Sequence, residues 1–193
     1  MLFRSLAEKL MRTANLYKGP RTTISSCVRF GNVTGTRGSV IPLFLSQILN
    51  SSDLTLTHPQ MTRFVMTLNK AILLVLRAGE RALHGETFIL KMPAIKVLDL
   101  VETINTTFAQ MHNLKQVNIQ QMGIREGEKL HEELLFDHEV PYCTEEEEML
   151  IVGYQRLGTT IDRSVYKSEY SNYLNKEDIL DLLVKVRQEM EVL

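Results

Sequence analysis

The sequence predicts an α/β fold, and three observations support this prediction. Amphipathic segments with helical spacing alternate along the 193 residues with short runs rich in β-branched and apolar residues. The apolar share of 44% is enough to form a packed core. Glycine, proline and polar clusters separate the segments, as expected for the loops of an α/β protein, in which strands and helices alternate along the chain.

The first half of the chain contains the elements of one such alternation. Residues 3–17 carry an apolar stripe at helical spacing, and Gly19-Pro20 ends this helix. Residues 22–30 are rich in β-branched side chains and predict a buried strand. Residues 41–49 predict a helix that tolerates Pro42 in its first turn. Further elements are short strands at residues 54–56, 62–66 and 87–90, and a helix from the N-cap candidate Thr67 to residue 80, which we expect to be buried because its run AILLVL is apolar nearly all round.

The second half repeats the alternation. An apolar stripe predicts a helix over residues 97–111, and Val117 and Ile119 alternate with polar residues as in a strand. Residues 127–135 have a helical pattern, and residues 149–152 form a short apolar segment. Asn175 and Asp178 resemble a capping box in front of a closing amphipathic helix.

Charge and cysteine content exclude several classes of function. Lys and Arg number 22 against 23 Asp and Glu, so no overall field favours nucleic acid or an anionic membrane. The longest apolar run, residues 71–76, is too short to span a bilayer. Cys27 and Cys143 do not have metal-ligand spacing, which favours a reduced, cytoplasmic setting. From the charge balance and the short apolar runs we expect no nucleic-acid or membrane partner.

The segment VRFGNVTGTRGSVIPLF, residues 28–44, is the first candidate ligand site. Its glycines allow close approach of the backbone to a ligand, Asn32 offers donors and an acceptor, and Arg37 offers a planar fork. This composition suits a phosphorylated ligand at the exit of a strand. A glycine-rich turn between a strand and a helix explains the same pattern.

Two further positions suit an anion. Arg63 lies among apolar residues, so its guanidinium needs an acceptor, which is either an acidic side chain or a ligand. Arg125 and Glu128 are three residues apart and would share one face of a helix. They could hold a phosphate and sugar hydroxyls, or they could be surface charges of a solvated helix.

Signals for catalysis are absent from this sequence. His131-Glu132-Glu133 is not part of an HExxH motif, because Leu135 occupies the second histidine position. No tyrosine is followed by a lysine four residues later, and no strand is followed by GxGxxG. We therefore predict no catalytic, metal-binding or cofactor-binding residue.

Four segments in order resemble one family. VRFGNVTGTRGSVIPLF, THPQMTRFVMT, GETFILKMPAIKVLDL and GIREGEKLHEELL are similar to the C-terminal part of CapD-like polysaccharide biosynthesis proteins. These are extended short-chain dehydrogenase/reductase enzymes that act on UDP-N-acetylglucosamine as 4,6-dehydratases, some with 5-epimerase activity, using NADP or NAD. The resemblance implies the C-terminal portion of that Rossmann-like fold. It divides the chain into residues 1–52, a remnant of the sheet with its substrate loop, and residues 53–193, a nucleotide-sugar-binding region.

The resemblance also implies roles for residues at matching positions. Asn32 matches a contact near the diphosphate of the substrate, and the loop that frames the nucleotide contains Arg37, Ser39, Val40 and Pro42. Thr34 and Thr36 depart from the usual leucine and serine of the loop.

The other two motifs supply charged residues to the same ligand. Arg63 matches a position expected to bind phosphate, and Arg125 and Glu128 match positions expected to hold diphosphate and ribose.

Several parts of the family's catalytic machinery have no counterpart in this sequence. The family has Tyr or Met, three residues and Lys just before the LAEKL helix, and here the lysine position is Arg4. The prediction is therefore a UDP-sugar-binding part that is not catalytic by itself, with NADP or NAD bound only in the full-length family. The alternative is a non-catalytic binding or interaction module that pairs with a separate cofactor-binding half or with a full-length relative. Because most neighbours of the strand at residues 22–30 would be missing, we also expect self-association or a protein partner.

Overall fold

The computed structural model describes residues 2–36 and 39–191, and its elements confirm the predicted α/β class with parallel strand pairs. The helices are α1 (Leu2–Tyr17), α2 (Val40–Leu49), α3 (Leu68–Arg81), α4 (Val97–Met111) and α5 (Lys176–Glu191). The strands are β1 (Cys27–Arg29), β2 (Asn32–Val33), β3 (Leu54–Leu56), β4 (Thr62–Met66), β5 (Thr87–Leu90), β6 (Ala94–Lys96), β7 (Ile119–Gln121), β8 (Cys143–Glu145) and β9 (Met149–Val152). None of the helices in the described ranges is long and apolar enough to span a bilayer.

The chain forms two compact units that interleave in sequence. Unit 1 consists of Met1–Phe30, Asn69–Lys91 and Glu133–Tyr166, and unit 2 consists of Gly31–Leu68, Met92–Glu132 and Lys167–Leu193. The division at residue 52 that the family resemblance implies stays a prediction.

Unit 1 contains a four-stranded sheet in the order β1-β5-β9-β8. β1 and β5 are parallel, with Cys27 opposite Thr87, whereas β9 is antiparallel to both of its neighbours. The strand predicted over residues 22–30 is wrong in length, because only Cys27–Arg29 pairs. The Asn15 side chain accepts from the Ser25 N–H at 2.8 Å and donates to the Ser25 carbonyl at 2.7 Å. These two bonds occupy the backbone groups that a longer strand would use.

Helix α3 buries one stripe and exposes the rest, so the prediction of a fully buried helix is wrong. Ala71, Leu74 and Ala78 are buried. The remaining large apolar side chains of the run, about half exposed each, are Ile72, Leu73, Val75 and Leu76. A helix that lies on the surface of a unit buries only the positions that share one face, whatever the composition of its other faces.

An ion cluster connects three segments of unit 1. Arg29 donates to Glu8 at 2.6 and 3.1 Å and to Glu139 at 2.7 Å through two nitrogens, and it also donates to the Leu134 carbonyl at 2.8 Å. Burial disfavours the charged form of Glu139, but hydrogen bonds from Arg29 and the Phe136 N–H outweigh burial and hold its pKa below the usual value. The cluster thus fixes α1 and residues 134–139 on β1.

Unit 2 contains the sheet β2-β4-β6 and the parallel pair β3-β7, with α2, α4 and α5 packed on them. β4 is parallel to β2 and antiparallel to β6. The capping box at α5 forms as the sequence indicates, because Asn175 and Asp178 exchange backbone-to-side-chain bonds of 3.0 and 2.9 Å. The core is formed by Ile41, Phe44, Ile48, Leu54, Leu56, Val65, Ile95, Leu100, Val101, Ile104, Ile179 and Val186.

Replacement of Arg29 by methionine should destabilise the protein strongly. Arg29→Met leaves Glu8 and Glu139 largely buried without their cation, which costs about 3 kcal/mol of unfolding free energy. Urea denaturation followed by circular dichroism at pH 7 measures the change. The control is Arg81→Met, which removes an ion pair with Glu146 at the surface and should change stability far less. Equal losses in the two variants would contradict the assignment.

Acid should weaken the same cluster. Because the pKa of Glu139 is lower in the folded than in the unfolded state, its contribution is fully present above the ordinary glutamate pKa. This contribution falls as the pH is lowered from that value through the depressed pKa of the folded state. Urea midpoints measured between pH 7 and pH 3 should therefore drop less in Glu139→Gln than in the wild type. Parallel curves would count against the cluster as a source of acid sensitivity.

Candidate functional site

The candidate site begins at β2 and the residues on either side of it, where the sequence places its glycine-rich motif. Gly31 meets Phe64 and Met92, and a Cβ atom there would lie 2.5 Å from the Met92 sulfur and 2.7 Å from the Phe64 carbonyl. The missing side chain of Gly31 therefore permits close packing with β4. Gly35 has a φ of +79°, which glycine adopts readily and which turns the chain after β2.

The N-terminus of α2 follows this loop and has the features of an anion site. Ser39 is the N-cap residue, yet its hydroxyl does not cap the helix. The Ser39 Oγ is buried and has no hydrogen-bond partner among the described residues. Val40 is 38% exposed in the first helical position, and Pro42, two residues later, has no N–H to satisfy. The amide groups and dipole of this helix end favour a negatively charged ligand.

Of the two polar residues that the sequence places in this loop region, the structure describes Asn32 but not Arg37. Asn32 lies in β2 opposite Val65 of β4, and its side chain is exposed. Arg37 lies outside the described residues, so its predicted contact with the nucleotide stays a prediction.

The guanidinium of Arg63, in β4, is hydrogen-bonded to main-chain carbonyls. Its guanidinium donates to the carbonyls of Thr62 at 2.8 Å, Leu130 at 3.1 Å and Lys129 at 2.8 Å. An arginine has five N–H donors, so two are not used by these bonds. The side chain is half-buried. Arg63 thus holds residues 123–132, which we call the strap, against β4.

A second set of bonds ties the strap to β4. Thr62 Oγ1 lies 2.8 Å from His131 Nδ1 and 2.8 Å from Ser168 Oγ, and the Glu132 N–H donates to Ser168 Oγ at 2.7 Å. The Phe64 N–H donates to the Glu132 carboxylate at 2.8 Å. Burial raises the pKa of Glu132, although this N–H and the charge of Arg63 act in the opposite direction.

The sequence did not reveal this network. A single-sequence pattern identifies Thr62 only as part of a strand and Ser168 only as part of a polar segment. Their contact depends on a fold that brings together residues 106 positions apart. The run His131-Glu132 in front of apolar residues was the one available signal, and a helical pattern explained it equally well.

Arg125 and Glu128 lie in a turn of the strap, so the predicted helix over residues 127–135 is wrong. The Glu128 N–H donates to the Arg125 carbonyl at 3.0 Å, and Gly127 between them has a φ of +80°. A turn with positive φ at its third residue favours glycine and interrupts a helix. The Arg125 N–H in turn points to the Glu128 carboxylate at 3.4 Å, and both side chains are exposed. The two residues lie close together because of this turn, and not because they share a helix face as the sequence predicted.

All described site residues of the prediction belong to unit 2. Asn32 pairs with β4, Arg63 lies in β4, and the strap with Arg125 and Glu128 is bonded to β4. Ser39, Val40 and Pro42 lie at the start of α2, within eleven residues of Asn32 in sequence. The convergence of these side chains on one ligand stays a prediction.

A cavity of about 320 Å³ lies elsewhere in unit 2, where α4 meets the start of α5. Two carboxylates, Asp99 and Glu102, line it together with Thr103 and Thr106. Their charge disfavours a phosphate ligand, and the cavity contains none of the predicted site residues. Within the ranges that the structure covers, no group of three or more His, Cys, Asp or Glu side chains is arranged to hold a metal ion.

Comparison with known proteins identifies the family to which the chain belongs. Residues 3–153 match the model of the family described as polysaccharide biosynthesis protein. The chain is 44% identical over 94% of its length to the uncharacterized membrane protein MJ1061 of Methanocaldococcus jannaschii, of which it covers 55%. It is 41% identical over 71% of its length to the capsular polysaccharide biosynthesis protein CapD of Staphylococcus aureus, of which it covers 22%. It is 31% identical over 96% of its length to a UDP-glucose 4-epimerase of Rickettsia felis, of which it covers 56%.

A solved structure supports the same relationship. The X-ray structure of Pen from Bacillus thuringiensis matches 94% of this chain with a TM-score of 0.87 and 38% identity, and the match covers 56% of that protein. The chain thus spans about half the length of MJ1061, the epimerase and Pen. Because the family model matches most of the sequence and the fold is that of extended short-chain dehydrogenase/reductase enzymes, the chain belongs to the CapD-like polysaccharide biosynthesis family.

Proposed function

We propose that unit 2 binds the nucleoside diphosphate of a UDP-sugar, as the substrate-binding part of a nucleotide-sugar 4,6-dehydratase/epimerase of polysaccharide biosynthesis. The observation that carries the proposal is the start of α2, where a buried Ser39 hydroxyl lacks a partner among the described residues. The first amides of a helix have no acceptor within the helix itself. A buried hydroxyl without a hydrogen bond is costly, and a phosphate oxygen would satisfy it. The name of the Rickettsia relative, a UDP-glucose 4-epimerase, supports this class of ligand.

The strap supplies the second half of the proposed site. Arg125 and Glu128 lie at the two ends of one turn, so one ligand could reach both side chains. In the proposal, Arg125 binds the diphosphate, Glu128 accepts from the ribose hydroxyls and Asn32 contacts the ligand from β2. Arg63 contributes its two remaining N–H groups while it holds the strap in place.

The energy available from these contacts sets a limit on affinity. Two charge-assisted arginine contacts supply roughly 3–6 kcal/mol. A micromolar dissociation constant requires about 8 kcal/mol. The remainder must come from the α2 terminus, which includes Val40, from Arg37 in the preceding loop, and from the uracil and sugar contacts.

We propose no catalytic residue in this chain and no site for NAD or NADP. The described residues do not fit a dinucleotide, because Gly31 in the glycine-rich loop is covered by Phe64 and Met92 and offers no open backbone to a pyrophosphate. Both cysteines are free thiols, which fits the proposed cytoplasmic location.

Loss of the Arg125 guanidinium should weaken UDP binding. We expect isothermal titration calorimetry to give at least tenfold weaker binding for Arg125→Gln, since one charge-assisted contact contributes about 1.5–3 kcal/mol. The control is Arg156→Gln, which removes an exposed arginine of unit 1 and should leave the affinity unchanged. A folded wild-type chain that gives no heat with UDP or UDP-N-acetylglucosamine would overturn the proposal.

The Ser39 hydroxyl should affect binding without stabilising the fold. In the free protein Ser39→Ala removes a buried oxygen that has no partner among the described residues, so the urea midpoint should stay the same or rise. The same change should weaken UDP binding severalfold, as expected for one hydrogen bond of about 1 kcal/mol. Thr13→Ala removes an exposed hydroxyl of unit 1 and serves as the control for affinity. Unchanged affinity in Ser39→Ala would exclude the α2 terminus from the site.

A further inference from the structure

Two buried hydroxyl groups anchor the C-terminal end of the strap. Thr62 is 2% exposed and Ser168 is fully buried, so neither side chain is open to a ligand from the solvent. The Glu132 N–H donates to Ser168 Oγ at 2.7 Å, and the Ser168 N–H donates to the Glu132 carbonyl at 2.9 Å. Thr62 Oγ1 lies 2.8 Å from Ser168 Oγ and 2.8 Å from His131 Nδ1. We call Thr62, His131, Glu132 and Ser168 the latch.

The latch is a chain of hydrogen bonds in which each member depends on the next. Each hydroxyl has a single proton to donate. The chain is satisfied when Ser168, which accepts from the Glu132 N–H, donates to Thr62. Thr62 then donates to the ring nitrogen of His131. Another acceptor near the Ser168 hydroxyl, the Thr62 carbonyl, is 3.5 Å away. Loss of the Thr62 hydroxyl therefore leaves both of its neighbours in the latch without a good partner.

The N-terminal part of the strap is held more loosely. Gly123 and Gly127 have φ values of +84° and +80°, and a Cβ atom on either would meet nothing within 4 Å. The bonds that close the turn join Arg125 and Glu128 to each other. The strap thus carries its two proposed ligand-binding residues on an open turn, and the position of this turn depends on the anchored end.

Arg63 holds the backbone that connects the turn to the latch. Its guanidinium donates to the carbonyls of Lys129 and Leu130, and the Leu130 carbonyl also accepts from the Thr62 N–H at 3.1 Å. A protease must extend the backbone around the bond that it cleaves, so trypsin can cut after Lys129 only when this part of the strap leaves β4. The exposed Arg125 offers trypsin a site in the open turn that needs no such release.

We infer that Thr62 and Ser168 are positioning residues of the proposed ligand site. They determine where the strap holds Arg125 and Glu128, although they contact no ligand themselves. The inference rests on the proposed function, because it concerns the affinity of the same site. Ligand binding and latch closure stabilise each other. A ligand that bridges the strap and β2 keeps the strap on β4, and a closed latch lowers the entropy cost of ordering the strap around the ligand.

The latch can open without unfolding unit 2. The hydrophobic core of the unit consists of other side chains, from its strands and from α2, α4 and α5. β4 pairs with β2 and β6 through backbone bonds, which a change in the Thr62 side chain does not remove. Breaking the latch should therefore loosen the strap locally.

The test compares two variants of Thr62. Thr62→Val has a similar shape but no hydroxyl, whereas Thr62→Ser keeps the hydroxyl. In calorimetric titrations of the full chain with UDP, Thr62→Val should bind about fivefold more weakly, as expected for one lost hydrogen bond. Thr62→Ser should bind like the wild type. The matched control is Thr103→Val, which removes a buried hydroxyl that donates to the Asp99 carbonyl within α4 and should leave the affinity unchanged.

Limited digestion with trypsin reports on the latch in the absence of ligand. Cleavage after Lys129, measured relative to cleavage after Arg125, should rise about fivefold in Thr62→Val and in Ser168→Ala. It should stay at the wild-type level in Thr62→Ser and Thr103→Val. UDP should slow cleavage after Lys129 in the wild type. If circular dichroism shows that Thr62→Val does not fold, Ser168→Ala takes its place in both measurements.

The outcomes separate this inference from the proposed function. A folded wild type that does not bind UDP would overturn both. If the wild type binds UDP, equal affinities of Thr62→Val and Thr62→Ser would overturn the inference alone, and so would equal cleavage after Lys129 in these two variants. A loss of affinity in Thr103→Val as large as that in Thr62→Val would also overturn it, because the effect would then follow from general destabilisation of unit 2.

Discussion

The pairing of Arg29 with Glu8 and Glu139 is the interaction on which unit 1 depends. Three segments that are far apart in sequence meet here: β1 supplies the guanidinium, and α1 and residues 134–139 supply its acceptors. A charge in this position is tolerated because four carboxylate oxygens and a carbonyl surround it. The same pairing sets the rotation of α1, so a polar contact on the inner side determines which side chains the outer side presents.

Unit 2 is organised around β4 in a comparable way. β4 pairs with β2 on one side and β6 on the other, and its Thr62, Arg63 and Phe64 bind the strap through side chains and backbone. A segment without helix or strand is thereby held by hydrogen bonds. Of the residues proposed to bind a ligand, Asn32, Arg125 and Glu128 lie on segments that are bonded to β4, which is how a loop-borne site gains a defined geometry.

The sequence predicted the long elements well because their patterns are strong. The stripes of α4 and α5, the strand at Thr87–Leu90 and the capping box at Asn175 all have local causes. The sequence-based predictions were wrong where tertiary contacts determine the secondary structure or the burial of a segment. Residues 22–26 lie outside the strand, since the Asn15 side chain holds Ser25, and α3 exposes apolar residues that a composition rule would bury.

The candidate site shows the same division between local and long-range causes. The sequence placed Arg125 and Glu128 on one helix face, whereas the structure places them at the two ends of a turn that contains Gly127. The acceptors of Arg63 were not predicted, because they are main-chain carbonyls. Every residue has such a carbonyl, so a sequence pattern cannot identify the ones that accept. The Ser39 hydroxyl, which has no partner in the part of the chain that the structure describes, likewise becomes visible only once the fold buries it.

The interleaving of the two units has a consequence for synthesis of the chain. Each unit draws on three separate stretches, and unit 1 gains its last one only at Tyr166. During translation neither core can close around an early segment, so unit 1 matures only after Tyr166 has been synthesised and unit 2 only after its stretch from Lys167 onward. Until then the apolar side chains of β1 and β5 are exposed together, and this is the period in which a chaperone or a binding partner would have most to protect.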